Sequence, residues 1–117
     1  GKNEDALHLM LSMDDGASML GECALVPFNS PIRESGILFY NTLFDENASC
    51  HLALGEGYSS CLENAGSYTP DEARALGVNE SMIHEDFMIG AADLCITGVT
   101  ADGRTVPIFV NGDWADA

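Results

Sequence analysis

The chain has 117 residues, 46% of them hydrophobic and 20% charged, which is enough for a modest core and excludes a low-complexity or charge-rich disordered segment. Nineteen Asp and Glu against four Lys and Arg give a net charge of -15, which excludes phosphate-driven nucleic-acid binding and disfavours an anionic membrane surface. Metal ions, other cations or basic partners are the electrostatically natural ligands.

The apolar runs are short, as in Cys23-Ala24-Leu25-Val26, so no transmembrane helix is expected, and the first residues have no signal-type apolar region. Cys23, Cys50, Cys61 and Cys95 form no C-x-x-C pair, which argues against a zinc ribbon or a redox motif and fits reduced thiols in a cytoplasmic protein. With Gly at position 1 and no linker or repeat inside, residues 1–117 read as a single domain forming the C-terminal part of a longer protein.

In chain order, Ala6, Leu7, Met10 and Leu11 share one helical face, predicting an amphipathic helix from Glu4 to Met13 with Asn3 as its cap. A further helical turn or two is expected over Asp14–Leu20, stopped by Gly21. Glu22 to Val26 reads as a short strand closed by Pro27, and Asn29-Ser30-Pro31 as a turn. Ile37–Phe44 is apolar at nearly every position, so periodicity alone allows a buried strand or a helix, and a helix running toward Ala48 is the favoured reading. His51–Gly55 reads as a strand followed by the glycine loop Gly55-Glu56-Gly57-Tyr58. Thr69-Pro70-Asp71-Glu72 has the form of a capping box opening a helix to Leu76, with Gly77 as its stop. Ile83–Ile89 is strand-like, and Asp93–Val99 and Thr105–Val110 flank an Asp-Gly turn, predicting a hairpin. The fold class is mixed α/β, with a strand order that the pattern leaves open.

Two histidines keep company with carboxylates. On an extended segment His84 and Asp86 project from the same face and could converge on one cation, whereas Glu85 points the other way. Imidazole with carboxylate suits zinc, cobalt, manganese or iron better than magnesium or calcium alone. His51 follows the polar island Asp45–Cys50, and either histidine could equally be an ordinary satisfied or surface residue. Glu22 begins an otherwise apolar run, a costly place for a carboxylate without a partner. The glycine loop lacks the final Gly of a phosphate cradle and carries an anion in its place, so no nucleotide site is expected. Asn47-Ala48-Ser49 and Asn79-Glu80-Ser81 are glycosylation sequons without meaning in a cytosolic chain, and Cys50 is better read as a buried structural thiol than as a nucleophile.

The runs Leu20-Gly21-Glu22-Cys23-Ala24-Leu25-Val26-Pro27, Ser35-Gly36-Ile37-Leu38-Phe39-Tyr40-Asn41-Thr42-Leu43-Phe44-Asp45-Glu46-Asn47-Ala48-Ser49-Cys50-His51-Leu52-Ala53-Leu54-Gly55 and His84-Glu85-Asp86-Phe87-Met88-Ile89-Gly90 closely resemble the aminopeptidase T and aminopeptidase S (PepS) family of thermophilic-type dinuclear metallo-aminopeptidases. The resemblance extends over essentially the whole chain, through Asn111-Gly112-Asp113-Trp114-Ala115. It implies that Glu22, His51, His84 and Asp86 are metal ligands, that Glu46 is a ligand or a residue supporting the ligands, that Glu46 or a glutamate upstream of this chain shuttles the proton, and that Tyr58 is an active-site hydroxyl. It implies two divalent ions (zinc, cobalt, magnesium or manganese), peptide substrates with a free N-terminus, a homodimer, and one further glutamate ligand from a motif upstream of this chain. The competing expectation is a catalytically incomplete fragment that serves only as a metal-binding or structural, dimerising module.

Overall fold

A computed structural model describes residues 3–31 and 48–116. The helix expected over Ile37–Phe44 and the candidate residue Glu46 lie outside the described residues. Helices and sheets are both present, as the mixed α/β reading expects, and among the described residues no helix is long and apolar enough to cross a membrane. The chain divides into two compact units, one made of Gly1–Cys23 and Leu52–Phe87 and the other of Ala24–His51 and Met88–Ala117.

The first unit opens with α1, Glu4–Leu11, whose acidic first turn suits the positive end of the helix dipole. Asn3 occupies the cap position with a left-handed φ of 66° and makes no side-chain cap bond, so the expected cap is a matter of position only. The helix ends earlier than expected, at Leu11, where the Ser12 hydroxyl donates back to the Leu9 carbonyl at 2.8 Å. No continuous helix forms over Asp14–Leu20; the segment makes two separate turns, the Ala17 N–H donating to the Asp14 carbonyl at 3.3 Å and the Met19 N–H to the Gly16 carbonyl at 3.1 Å. The Asp14 carboxylate instead accepts from the Ser81 hydroxyl at 2.8 Å and the Met82 N–H at 2.7 Å, bonds that a helix would have to forgo.

Strand β1 is Leu20–Ala24, two residues earlier than its apolar pattern suggests. The expected helix stop, Gly21, is one of its residues, and its bare Cα lies where a Cβ would collide with the Gly55 and Glu56 carbonyls. Strands β2 (His51–Gly55) and β3 (His84–Met88) complete a sheet of order β1-β2-β3. Central β2 buries alternate residues His51, Ala53 and Gly55, the period-2 signature of a strand. Gly55 combines φ 99° with no space for a side chain beside the Ile83 carbonyl, so only glycine fits there. After two single turns of 3₁₀ helix, Ser59–Cys61 and Ala65–Ser67, the capping box forms as expected. Thr69 Oγ1 accepts the Glu72 N–H at 3.2 Å, Glu72 Oε1 accepts the Thr69 N–H at 3.1 Å, and α2 runs over Pro70–Ala75 toward Gly77 at φ 105°.

The second unit contains the antiparallel sheet β4-β5-β6, with β4 at Ile96–Val99, β5 at Thr105–Val110 and β6 at Asp113–Trp114. Its hairpin pairs Val99 with Thr105 across a turn in which Gly103 takes φ 86°, as the Asp-Gly signal predicts. Strand β6 was not expected from its two-residue pattern. It pairs only with Phe109 and Val110, which leaves Pro107 beyond its reach, where a missing N–H costs no bond on that side. Phe109 is buried and meets Trp114 edge-on at a centroid distance of 4.7 Å. Cys50 is also buried, its thiol donating to the Val26 carbonyl and accepting the Val26 N–H, each at 3.2 Å, and all four cysteines are free.

Candidate metal centre

Each strand of the sheet β1-β2-β3 brings a histidine or carboxylate to one place. Glu22 is the third residue of β1, His51 the first of β2, and His84 and Asp86 the first and third of β3. The two-residue repeat of β3 aims His84 and Asp86 to the same side, and His84 Nε2 lies 3.3 Å from Asp86 Oδ1. Glu22 Oε2 reaches the same nitrogen at 3.2 Å. Ligand atoms of Glu22, His51 and Asp86 all lie within 4.8 Å of one another, so both carboxylates stand with both histidines.

His84 is fixed from behind. Its Nδ1 lies 2.7 Å from the Glu56 carbonyl oxygen, which can only accept, so Nδ1 carries the proton and Nε2 is turned toward the carboxylates. The His51 ring has the same type of support, its Nδ1 lying 2.9 Å from the Ser49 carbonyl. Burial pulls the His84 pKa down, but the Glu56 carbonyl and the Asp86 and Glu22 charges outweigh it and hold the ring above the ordinary histidine value. In the neutral ring Nε2 offers a lone pair, and Asp86 Oδ1, itself buried, receives no hydrogen bond from the described residues. Electron-rich atoms so arranged need a proton or a cation between them. Two imidazoles and two carboxylates, backed by carbonyl-bound ring nitrogens, form a donor set suited to a divalent transition metal.

Tyr58 stands beside this group. Its hydroxyl is 3.4 Å from His84 Nε2 and its ring centroid 5.1 Å from the imidazole. Glu22 and Tyr58 also border a groove of about 350 Å³ whose apolar lining includes Leu62, Leu76 and Val78. His8 takes no part; it is exposed on α1 and pairs with Glu4 at 3.7 Å.

Sequence reasoning missed the residues that hold the site in shape. The Glu56 carboxylate accepts the Ser81 N–H at 2.8 Å, and Asn79 Nδ2 donates to the Gly16 and Gly55 carbonyls at 2.8 and 2.7 Å. Asn79 drew notice only as part of a sequon, and its actual partners are remote in sequence, so no local signal could have found them.

The model of the thermophilic metalloprotease (M29) family matches residues 1–114. Aminopeptidase 2 of Geobacillus stearothermophilus is 56% identical over 111 residues, 95% of this chain and 27% of that protein. Aminopeptidase AmpS of Bacillus subtilis is 54% identical over 114 residues, 97% of this chain and 28% of the relative. The solved structure of wild-type AmpT from Thermus thermophilus superposes with a TM-score of 0.81 at 41% identity, over 97% of this chain and 28% of that one. The chain thus spans little more than a quarter of the length of these relatives.

Proposed function

This chain belongs to the thermophilic metalloprotease (M29) family, and on that premise we propose that it carries most of the two-metal centre of an aminopeptidase releasing N-terminal amino acids from peptides. The observation that carries the reading is the meeting of Glu22, His84 and Asp86 at one imidazole nitrogen, with His51 in the same cluster. In this proposal Glu22, His51, His84 and Asp86 would hold the ions, and Glu46 would join them as a ligand or proton shuttle. The relatives' names support peptide substrates, and the resemblance of the motifs supports zinc, cobalt, magnesium or manganese in a homodimeric cytoplasmic enzyme.

When bound, a pair of divalent cations lowers the pKa of a shared water and polarises the scissile carbonyl. The chain's own groups supply the rest. Glu22 and Asp86 provide the negative charge that balances the ions, and the carbonyl-bound His51 and His84 present their remaining ring nitrogens in a fixed direction. The Tyr58 hydroxyl, 3.4 Å from His84 Nε2, would donate a hydrogen bond to the oxygen of the scissile carbonyl as charge develops on it. Glu46 would carry the proton from the attacking water to the leaving amine. The groove beside Glu22 and Tyr58 offers apolar lining to the side chain of the residue being released.

Calorimetric titration with zinc and with cobalt, alongside aminopeptidase assays of the protein that carries this chain, tests the proposal. Saturable binding that His51→Ala and His84→Ala both abolish, together with loss of N-terminal amino-acid release, is the expected result. Full activity and metal content in those variants would overturn it. The short span of the chain relative to its relatives gives a second reading, a metal-binding or structural module, which metal binding without any hydrolysis would favour.

A further inference from the structure

We propose that Glu56 is the positioning residue of the metal centre, holding His84 through its main chain and its side chain at once. The inference rests on the metal-binding reading above and deepens it. The Glu56 carbonyl accepts from His84 Nδ1 at 2.7 Å and so selects the tautomer and the ring direction. The carboxylate of the same residue accepts the Ser81 N–H at 2.8 Å, and the Glu56 N–H donates to the Ile83 carbonyl at 2.7 Å. Glu56 is therefore bonded to three residues of one short segment, Ser81, Ile83 and His84, so the strand start that bears the histidine moves only if Glu56 moves with it.

The surroundings brace Glu56 in turn. Gly55, before it, donates its N–H to the Met19 carbonyl at 2.8 Å and accepts from the Asn79 side chain at 2.7 Å; Gly57, after it, donates to the Asn79 carbonyl at 2.8 Å. Asp14 holds the other side of the segment through the Ser81 hydroxyl and the Met82 N–H. Glu56 has no bond to the Glu22 and Asp86 carboxylates among those the structure gives, so it acts on the centre through His84. Of its three bonds to the segment, the carboxylate's is the one that a side-chain substitution removes.

The test compares zinc affinity by calorimetry with the His84 tautomer, read from ring ¹⁵N shifts of the metal-free chain at alkaline pH. Glu56→Ala is expected to weaken zinc binding by roughly 10- to 100-fold and to reduce the Nδ1–H tautomer of His84. Glu56→Gln, which keeps an acceptor oxygen for Ser81, should restore both to within about threefold of the parent. Glu72→Ala serves as a control for general loosening, since it breaks the α2 capping box and should leave zinc affinity and tautomer unchanged. Parent-like zinc affinity and tautomer in Glu56→Ala would overturn the proposal. A parent chain that binds no zinc, but whose His84 tautomer shifts in Glu56→Ala, would refute the metal reading and leave the positioning role standing. A parent chain that binds no zinc, with a His84 tautomer unchanged in Glu56→Ala, would refute both.

Discussion

Asp86 Oδ1 stands 3.3 Å from Nε2 of His84, two residues earlier on the same strand, and receives no hydrogen bond from the described residues. A buried carboxylate oxygen facing a ring nitrogen is tolerated when a proton or a metal ion joins them. Asp86→Asn removes the charge and one of the two acceptor oxygens while keeping the shape. Zinc affinity should fall by at least about tenfold with the far-UV circular dichroism unchanged, and parent-like affinity would remove Asp86 from the ligand set.

Asp14 contributes to the acid limb of stability. The Met82 N–H, then the Ser81 hydroxyl, hold its carboxyl below the usual aspartate value of 3.8 in the folded chain. A depressed folded-state pKa contributes stability that is fully present above about pH 3.8 and is lost as the pH falls through the lower, folded-state value. Asp14→Asn should therefore melt below the parent at neutral pH, with the gap closing under strongly acidic conditions. Melting curves that stay equally far apart at every pH would refute this role.

Gly55→Ala should be among the most damaging single substitutions in the sheet. It forces a side chain into φ 99° and drives its Cβ against the Ile83 carbonyl, the acceptor of the Glu56 N–H. The backbone strain alone is on the order of 1–3 kcal/mol. Thermal denaturation should register at least that loss, and zinc binding should weaken with it, because the Glu56 loop that meets His84 follows directly.

The cysteines should separate by reactivity. Cys23, Cys61 and Cys95 are exposed, whereas Cys50 is buried with its thiol bonded to Val26. A thiol reagent under native conditions should label the first three rapidly and Cys50 only on unfolding. Rapid labelling of Cys50 would contradict its packing.

What was legible in the sequence was local. Thr69 and Glu72 close a capping box three residues apart, Asp102-Gly103 turns a hairpin, and His84 and Asp86 share a strand face, so each could be read from neighbouring residues. The candidate ligand set came from motif resemblance as much as from spacing, since nothing local brings Glu22 to His84. The misses share the opposite cause. Asp14–Leu20 has helix-compatible residues, but Asp14 finds its partners at Ser81 and Met82, and Gly21 serves a close passage of backbone beside Gly55 instead of a helix end. Asn79 and Glu56 act through partners that only the fold supplies, and two-residue β6 is too short to leave a pattern.

The wide spacing of Glu22, His84 and Asp86 along the chain has a consequence for folding. These groups meet only after β1, β2 and β3 have docked, so the unfolded chain offers no equivalent site and the long loop between β1 and β3 must close first. A cation held there acts as a removable cross-link: it binds the native state alone and shifts the folding equilibrium by mass action, more so as its free concentration rises. Chelation would then register as a lowered melting temperature even where no bond in the rest of the chain had changed, making thermal stability a direct gauge of metal occupancy.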